Sequence, residues 1–328
     1  MMIRVSEMSV LMTNAQTAAW LKARDGFLIL THRRPDGDTV GCAGALAQGL
    51  RECGKTAYVL SNPEITPRFL RFVKDYIAPP GFEPEHILVV DTASEELFTK
   101  NCDMYLGAVS LCIDHHPSNT LYAEHTCLEG AYASCGEIIF EILLDLTGSI
   151  SSRSAEQLYV SLSTDTGCFA FSNTTANTHR VAALLIEAGA PYRELNKQLF
   201  RTKTRSRIQV EGAIFSKLEF FFRGAVAIST ITREMMESAD AKEDDVDDIA
   251  SIPGSVEGVR AGITIREMTS ARDCKVSVRT TSLVDAHAIC ERFGGGGHSM
   301  AAGYTQNKTA SEIKDSLLET LRDFFPEQ

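Results

Sequence analysis

Six residues suited to holding divalent cations punctuate the chain between His32 and Asp165. The stretch Thr31-His32-Arg33-Arg34-Pro35-Asp36-Gly37-Asp38-Thr39 directly follows the apolar run Phe27-Leu28-Ile29-Leu30. One imidazole and two carboxylates, His32, Asp36 and Asp38, with no thiolate beside them, form a hard mixed set that suits Mn²⁺ or Mg²⁺ rather than structural zinc. Taken alone, Pro-Asp-Gly-Asp also reads as a turn followed by a helix cap, with Asp38 and Thr39 as the capping residues. Further on, Asp91 ends the run His86-Ile87-Leu88-Val89-Val90, and Asp114-His115-His116 ends Val109-Ser110-Leu111-Cys112-Ile113. Asp165 follows a helical stretch in Ser163-Thr164-Asp165-Thr166-Gly167. Two divalent cations roughly 3.5–4 Å apart need one bridging carboxylate and two or three further ligands each. His32, Asp36, Asp38, Asp91, His115 and Asp165 supply that number.

The elements that must position these groups follow from apolar periodicity. Residues 27–31, 57–60, 86–92 and 109–113 read as strands, separated by helical stretches at 13–24, from Val40 to about Cys53, and from Thr66-Pro67 onward. Strands alternating with helices predict βαβ units and a parallel sheet, whose ligands lie beyond the strand C-terminal ends. The pattern then becomes helical at 134–146, 153–164 and 175–188. A region of different texture follows, with strands predicted at 218–222, 225–231, 259–265 and 275–279. It carries an acidic helix and loop at 234–248, then Gly294-Gly295-Gly296-Gly297-His298, and a final helix at 311–324. The expected fold class is α/β, with a parallel-sheet domain at 1–190, a helical linker at 191–212, and a smaller α/β domain at 213–328. The active site is expected in the cleft between the two domains.

Composition narrows the function classes. With 328 residues and 44% apolar content, the chain can bury two cores. The first eleven residues lack the apolar stretch of a signal peptide, and no run approaches a membrane span. Nine cysteines, an odd number without CxxC spacing, read as buried small hydrophobes in a reducing, cytoplasmic setting. A formal net charge of −11 argues against coating long duplex nucleic acid and leaves small or short anionic substrates. Locally, Arg193, Lys197, Arg201, Lys203, Arg205 and Arg207 oppose only Glu194, and the stretch reads as a solvated basic face.

The ordered set His32-x-x-x-Asp36-x-Asp38, Val90-Asp91-Thr92, Asp114-His115-His116 and Thr164-Asp165-Thr166-Gly167 resembles the four motifs of the DHH phosphoesterase family. Residues 294–298, followed by Ala301-Ala302-Gly303, resemble that family's nucleic-acid-binding DHHA1 domain, so the resemblance covers essentially the whole chain. Size and layout are most similar to its oligoribonuclease and 3′-phosphoadenosine-5′-phosphate phosphatase group. Residues 169–175 look like that group's segment after the fourth motif.

The resemblance implies two Mn²⁺ per active site, with Mg²⁺ as the other fitting ion. One is held by His32, Asp36 and Asp91, and the other by Asp38, Asp91, His115 and Asp165, with Asp91 as the bridge. His116 is implied to face the substrate phosphate, and Asp114 to orient the histidine pair. A metal-bridging water, acidified to hydroxide, attacks phosphorus in line. In the second domain, Gly295, Gly296, Gly297 and His298 suit a phosphate cradle, with bare backbone N–H groups and one side-chain donor, and Arg279 adds a bidentate grip. A flexible loop is the plainer reading of four glycines. Ser299-Met300 stands where relatives commonly carry a basic residue or proline, and Arg279-Thr280 where Arg-Ser is usual, which bears on substrate preference.

The implied function is hydrolysis of short oligoribonucleotides to nucleoside 5′-monophosphates, together with 3′-phosphoadenosine-5′-phosphate to AMP. The alternative within the enzyme class is a phosphodiesterase of cyclic or linear dinucleotides. A long-strand exonuclease fits less well, because the chain lacks room for further domains. A non-catalytic nucleotide sensor would be marked by lost metal ligands, and none is missing. Short oligoribonucleotides or small nucleotides are the expected partners, without membrane, and a homodimer is left open.

Overall fold

The four apolar runs between residues 27 and 114 that read as strands lie side by side and parallel. The computed structural model describes residues 9–246 and 249–326. The chain divides into two compact units, Met1–Thr202 and Lys203–Gln328. The dividing point falls inside the 191–212 segment.

The first unit carries a six-stranded sheet of β1 (Val10–Leu11), β2 (Phe27–Leu30), β3 (Ala57–Val59), β4 (His86–Val90), β5 (Leu111–Asp114) and β6 (His125–Leu128). Its spatial order is β1-β6-β5-β4-β2-β3, and every pairing is parallel. Both faces of the central strands are covered, so Phe27 and Ile29 pack on one side and Leu28 and Leu30 on the other. That double burial is why these strands are continuously apolar rather than alternating. Each fully buried Leu or Ile contributes ~1.5–3 kcal/mol. Helices α1 (Asn14–Lys22), α2 (Gly37–Glu52), α3 (Pro67–Val73), α4 (Cys135–Thr147), α5 (Ser152–Asp165), α6 (Ala176–Glu187) and α7 (Tyr192–Asn196) complete the unit. From β2 the chain goes outward to β3, then returns to place β4 on the other side of β2. This reversal makes a topological switch point between the C-terminal ends of β2 and β4, where open α/β sheets bind ligands.

Helices α2, α4 and α5 meet through small residues. A Cβ on Gly41 would strike the Gln157 carbonyl oxygen and lie 2.9 Å from Ser161 N, and one on Gly37 or Gly136 would strike Thr164 or Ser161. Backbone contact this close explains the spacing Gly37-x-x-x-Gly41-x-x-Gly44, and it draws the N-terminus of α2 to the C-terminus of α5.

The second unit carries α8 (Arg205–Ser216) and a mixed sheet of β7 (Glu219–Phe221), β8 (Val226–Ile231), β9 (Ala261–Glu267), β10 (Asp273–Thr280), β11 (Gly296–His298) and β12 (Ala301–Asn307). The order is β11-β12-β10-β9-β8-β7, antiparallel except for β8 beside β9. Helices α9 (Arg233–Ser238), α10 (Ala286–Glu291) and α11 (Ala310–Leu321) pack around it. Val276, Val278, Ile263 and Ile265 face a core closed by Ile313, Leu317 and Leu321 of α11.

The basic run from Arg193 to Arg207, which extends into α8, is not wholly a solvated face, because Lys203 and Arg207 both pair with Glu211, at 2.6 and 2.8 Å. All nine cysteines are free. Among the described residues, no helix is long and apolar enough to cross a membrane.

Candidate metal centre

Asp36, not Asp38 or Thr39, caps α2. Its Oδ1 accepts a hydrogen bond from Thr39 N at 3.1 Å, and Gly37 is the first helical residue. Capping and ligation are therefore not alternatives here, since the same Oδ1 lies 3.9 Å from His32 Nε2. Asp38 sits inside the first turn, 1% exposed. It is held by Ser161 Oγ at 2.5 Å, Cys42 Sγ at 3.2 Å and the Cys135 amide at 2.9 Å.

Asp91, one residue past β4, adopts φ +52°, a left-handed conformation costly for a non-glycine residue. Its two oxygens face different partners: Oδ2 lies 3.8 Å from His32 Nε2, and Oδ1 lies 3.5 Å from His115 Nε2. Thr39 Oγ1 donates to Oδ2 at 2.6 Å, whereas Oδ1 is buried without a hydrogen-bond partner among the described residues. From the other side, His115 Nε2 lies 3.7 Å from Asp38 Oδ2 and 3.6 Å from Asp165 Oδ2. Three ligand-like groups result: His32 with Asp36 and Asp91, Asp38 with His115 and Asp165, and Asp91 with His115 and His116.

The histidine tautomers fit ligation. His32 Nδ1 lies 2.7 Å from the Arg33 carbonyl and His115 Nδ1 lies 3.2 Å from the Tyr132 carbonyl. Because a carbonyl can only accept, each Nδ1 carries the proton, and each Nε2 is the ring atom left facing the carboxylates, where it can ligate a cation. His116 is used differently. Its Nδ1 lies 2.8 Å from Asp114 Oδ1, while Asn119 Nδ2 donates to Asp114 Oδ2 at 2.6 Å. The Asp114 hydrogen bond holds the His116 pKa above its usual value. Burial pushes Asp114 up, but the bonds from His116 and Asn119 outweigh it and leave its carboxyl below the ordinary range.

Four carboxylates converge, and among the described residues their ion-pair partners are histidines. Burial, then the charges of Asp38 and Asp36, push Asp91 well above the ordinary carboxylate range. The same causes in the same order raise Asp165 to about 8. Asp165 also occupies the last residue of α5, where the helix dipole disfavours negative charge. An orphaned buried oxygen, crowded acids and imidazole Nε2 atoms aimed inward are the features expected of residues that hold divalent cations, and this set fits them.

Several supporting residues carry no signal in the sequence. Ser161 lies one helical turn before Asp165, Thr39 follows Asp38, and Asn119 stands three residues after His116. Their side chains fix the carboxylates, and only the folded arrangement reveals their targets.

The family model of the DHH family, N-terminal domain, matches residues 26–163, and that of the DHHA1 domain matches residues 224–327. A protein of Thermus thermophilus named bifunctional oligoribonuclease and PAP phosphatase NrnA is 32% identical over 310 residues, covering 92% of this chain and 91% of its own. The chain belongs to the DHH family. As a member it is an enzyme, a phosphoesterase. The crystal structure of an exopolyphosphatase-related protein from Bacteroides fragilis has the same fold, at TM-score 0.86 and 22% identity, covering 95% of this chain and 96% of that one. RecJ of Thermus thermophilus in complex with Mn²⁺ shares the fold more distantly, at TM-score 0.50 and 12% identity, covering 98% of this chain and 56% of that one.

In the DHHA1 domain the glycine run is not a free loop. Gly294 N donates to the Glu291 carbonyl and Gly295 N to the Cys290 carbonyl, both at 3.0 Å, which closes the end of α10. Gly296, Gly297 and His298 form β11 and pair with Gly303, Ala302 and Ala301. A Cβ on Gly295 would strike Gly303 and Tyr304, so packing also demands glycine there. The N–H groups of Gly294 and Gly295 are thus committed rather than open to a phosphate. Arg279 is the penultimate residue of β10, opposite Ala301, and its guanidinium donates to the Val278 carbonyl at 3.1 Å. His298 is exposed.

Proposed function

We propose that this protein hydrolyses short oligoribonucleotides to nucleoside 5′-monophosphates and 3′-phosphoadenosine-5′-phosphate to AMP. The observation that carries the reading is Asp91, whose two oxygens face separate histidine–carboxylate groups at 3.8 and 3.5 Å. The Thermus thermophilus relative brings the substrate classes through its name.

His32, Asp36 and Asp91 would hold one divalent cation, and Asp38, Asp91, His115 and Asp165 a second, with Mn²⁺ preferred. Such ions, when bound, acidify water and offset the charge of the phosphate. The chain supplies the rest. Thr39 and Ser161 lock Asp91 and Asp38 in place, so the carboxylates need not reorganise when substrate arrives. Asp114 keeps His116 Nδ1 occupied and favours the imidazolium, leaving Nε2–H to donate to a phosphate oxygen or to protonate the leaving oxygen. Asp114, itself 0% exposed, orients and does not react. Arg279 and His298 would bind the substrate phosphate that is not cleaved.

A side-by-side rate comparison tests this reading, using a dinucleotide, a five-mer, a cyclic dinucleotide and 3′-phosphoadenosine-5′-phosphate with Mn²⁺. The dinucleotide, the five-mer and 3′-phosphoadenosine-5′-phosphate should all be turned over well. A clear preference for the cyclic dinucleotide would reassign the substrate, and turnover of none would overturn the reading.

A further inference from the structure

An exposed aromatic ring stands on the turn that follows Asp165, and the local backbone is built to keep it there. Phe171 is 59% exposed. It belongs to the turn between α5 and α6, in which Gly167, Cys168 and Phe169 take φ values of +55°, +58° and +67° in succession. Two of these three are not glycine, and a left-handed phenylalanine is costly unless its surroundings fix it.

They do fix it. Cys168 N donates to the Ser163 carbonyl at 2.6 Å, and the amides of Ala170 and Phe171 both donate to the Thr166 carbonyl at 2.9 Å. Phe169 turns inward and stacks on His179 with ring centroids 5.4 Å apart. Asn173 ties the far end of the turn to the Asp165 and Ala133 carbonyls, each at 3.1 Å. The Phe171 ring lies against Gly167, with its Cδ1 2.8 Å from where a Cβ would be, so the ring is seated on bare backbone instead of swinging freely.

Gly167 is two residues from Asp165, at most about 7.6 Å between Cα atoms. Asp165 in turn lies 3.6 Å from His115. The ring therefore sits on the turn that directly follows Asp165, the residue that the proposed function places on a cation.

We infer that Phe171 is a stacking platform for the nucleobase attached to the scissile phosphate, a positioning residue that makes the site prefer nucleotides over other phosphate esters. The inference rests on the proposed function and names how that site recognises its substrate. A planar π-system joined to a phosphate through a sugar matches an exposed ring on the turn that follows a proposed cation ligand. Stacking accepts any base, which suits an enzyme acting on short oligonucleotides of mixed sequence.

Calorimetric binding of 5′-AMP and of ribose 5-phosphate to the Mn²⁺-loaded protein tests it, because the two ligands differ only in the base. Phe171→Ala should weaken AMP about tenfold and leave ribose 5-phosphate unchanged, within the range found for one stacked base. Phe171→Tyr should retain AMP binding and Phe171→Leu should not. The thermal midpoint should hold in all three variants, since the ring is exposed. Equal weakening of both ligands, full rescue by Leu, or unchanged AMP affinity in Phe171→Ala would overturn the stacking role while leaving the proposed function intact. A wild-type protein that binds neither ligand and cleaves no nucleotide would overturn both.

Discussion

Replacing Asp165 with Asn should stabilise the protein once divalent cations are stripped from it, an unusual outcome for a partly buried polar residue. Asp165 is pushed from 3.8 to about 8 in the folded chain, by burial and then by the charges of Asp38 and Asp36. Its folded pKa lies above its unfolded one, so between those values the native state binds the extra proton. Stability is thus fully present below the unfolded pKa and is lost as pH rises through the folded one. Four units at ~1.36 kcal/mol each set an upper bound of roughly 5 kcal/mol on the loss. The carboxyls titrate together, so the loss belongs to the cluster, and about 2–3 kcal/mol is the expected share removed by Asp165→Asn. Urea unfolding in excess chelator at pH 5 and pH 8 measures it. The wild type should be the less stable of the two at pH 8, with the gap closing toward pH 5. Mn²⁺ at a thousand times its dissociation constant should reverse the order, because the wild type then gains ~4.1 kcal/mol. If Asp165→Asn instead destabilises the chelated protein equally at both pH values, Asp165 serves the fold, and the reasoning from crowded charge is wrong.

His116→Gln should retain metal binding but lose roughly 10²–10⁴-fold in kcat, together with the alkaline limb of the pH–rate profile that loss of the raised imidazolium produces, as read by steady-state kinetics across pH 6–9. Gly41→Val should lower stability by ~1–3 kcal/mol or more, because its side chain would meet the α5 backbone, and the urea midpoint will show it. Arg279→Ala should cost a dinucleotide ~1.5–3 kcal/mol in kcat/KM while barely affecting bis(p-nitrophenyl) phosphate. Equal loss on both substrates would assign Arg279 to the fold or to the metal centre.

How much of this is legible in the sequence differs by region for physical reasons. The central parallel strands are readable because both faces are buried, which leaves runs such as Ile87-Leu88-Val89-Val90 without a polar interruption. Strand β6, His125-Thr126-Cys127-Leu128, goes unread because its composition carries no apolar period. The two-residue strand β1 is too short to carry any. Strand β12 escapes for another reason: Ala301-Ala302-Gly303 offers small residues where β10 packs closely, so bulk gives no signal. At the candidate metal centre, the acids and histidines announce themselves by following the ends of β2, β4 and β5, and Asp165 by ending α5. The roles of Ser161 and Cys135 do not, since Ser161 acts on a carboxylate distant in the chain and Cys135 through its backbone amide, and Asn119 reaches back to Asp114 across a turn whose path its residue type does not announce. The glycine run reads as a set of bare amides, whereas hydrogen bonds to the end of α10 and close packing on Gly303 explain its first two glycines.

The central claim is that Asp91 joins two cations that serve one hydrolytic reaction. Titrating chelator-stripped protein with Mn²⁺ while following dinucleotide cleavage tests it most directly. The account predicts no turnover without metal, a rise that saturates at two equivalents per chain, and no recovery in Asp91→Ala at any Mn²⁺ concentration despite an unchanged far-ultraviolet circular dichroism spectrum. Full activity in excess chelator, saturation at a single equivalent, or near-wild-type turnover by Asp91→Ala would contradict it.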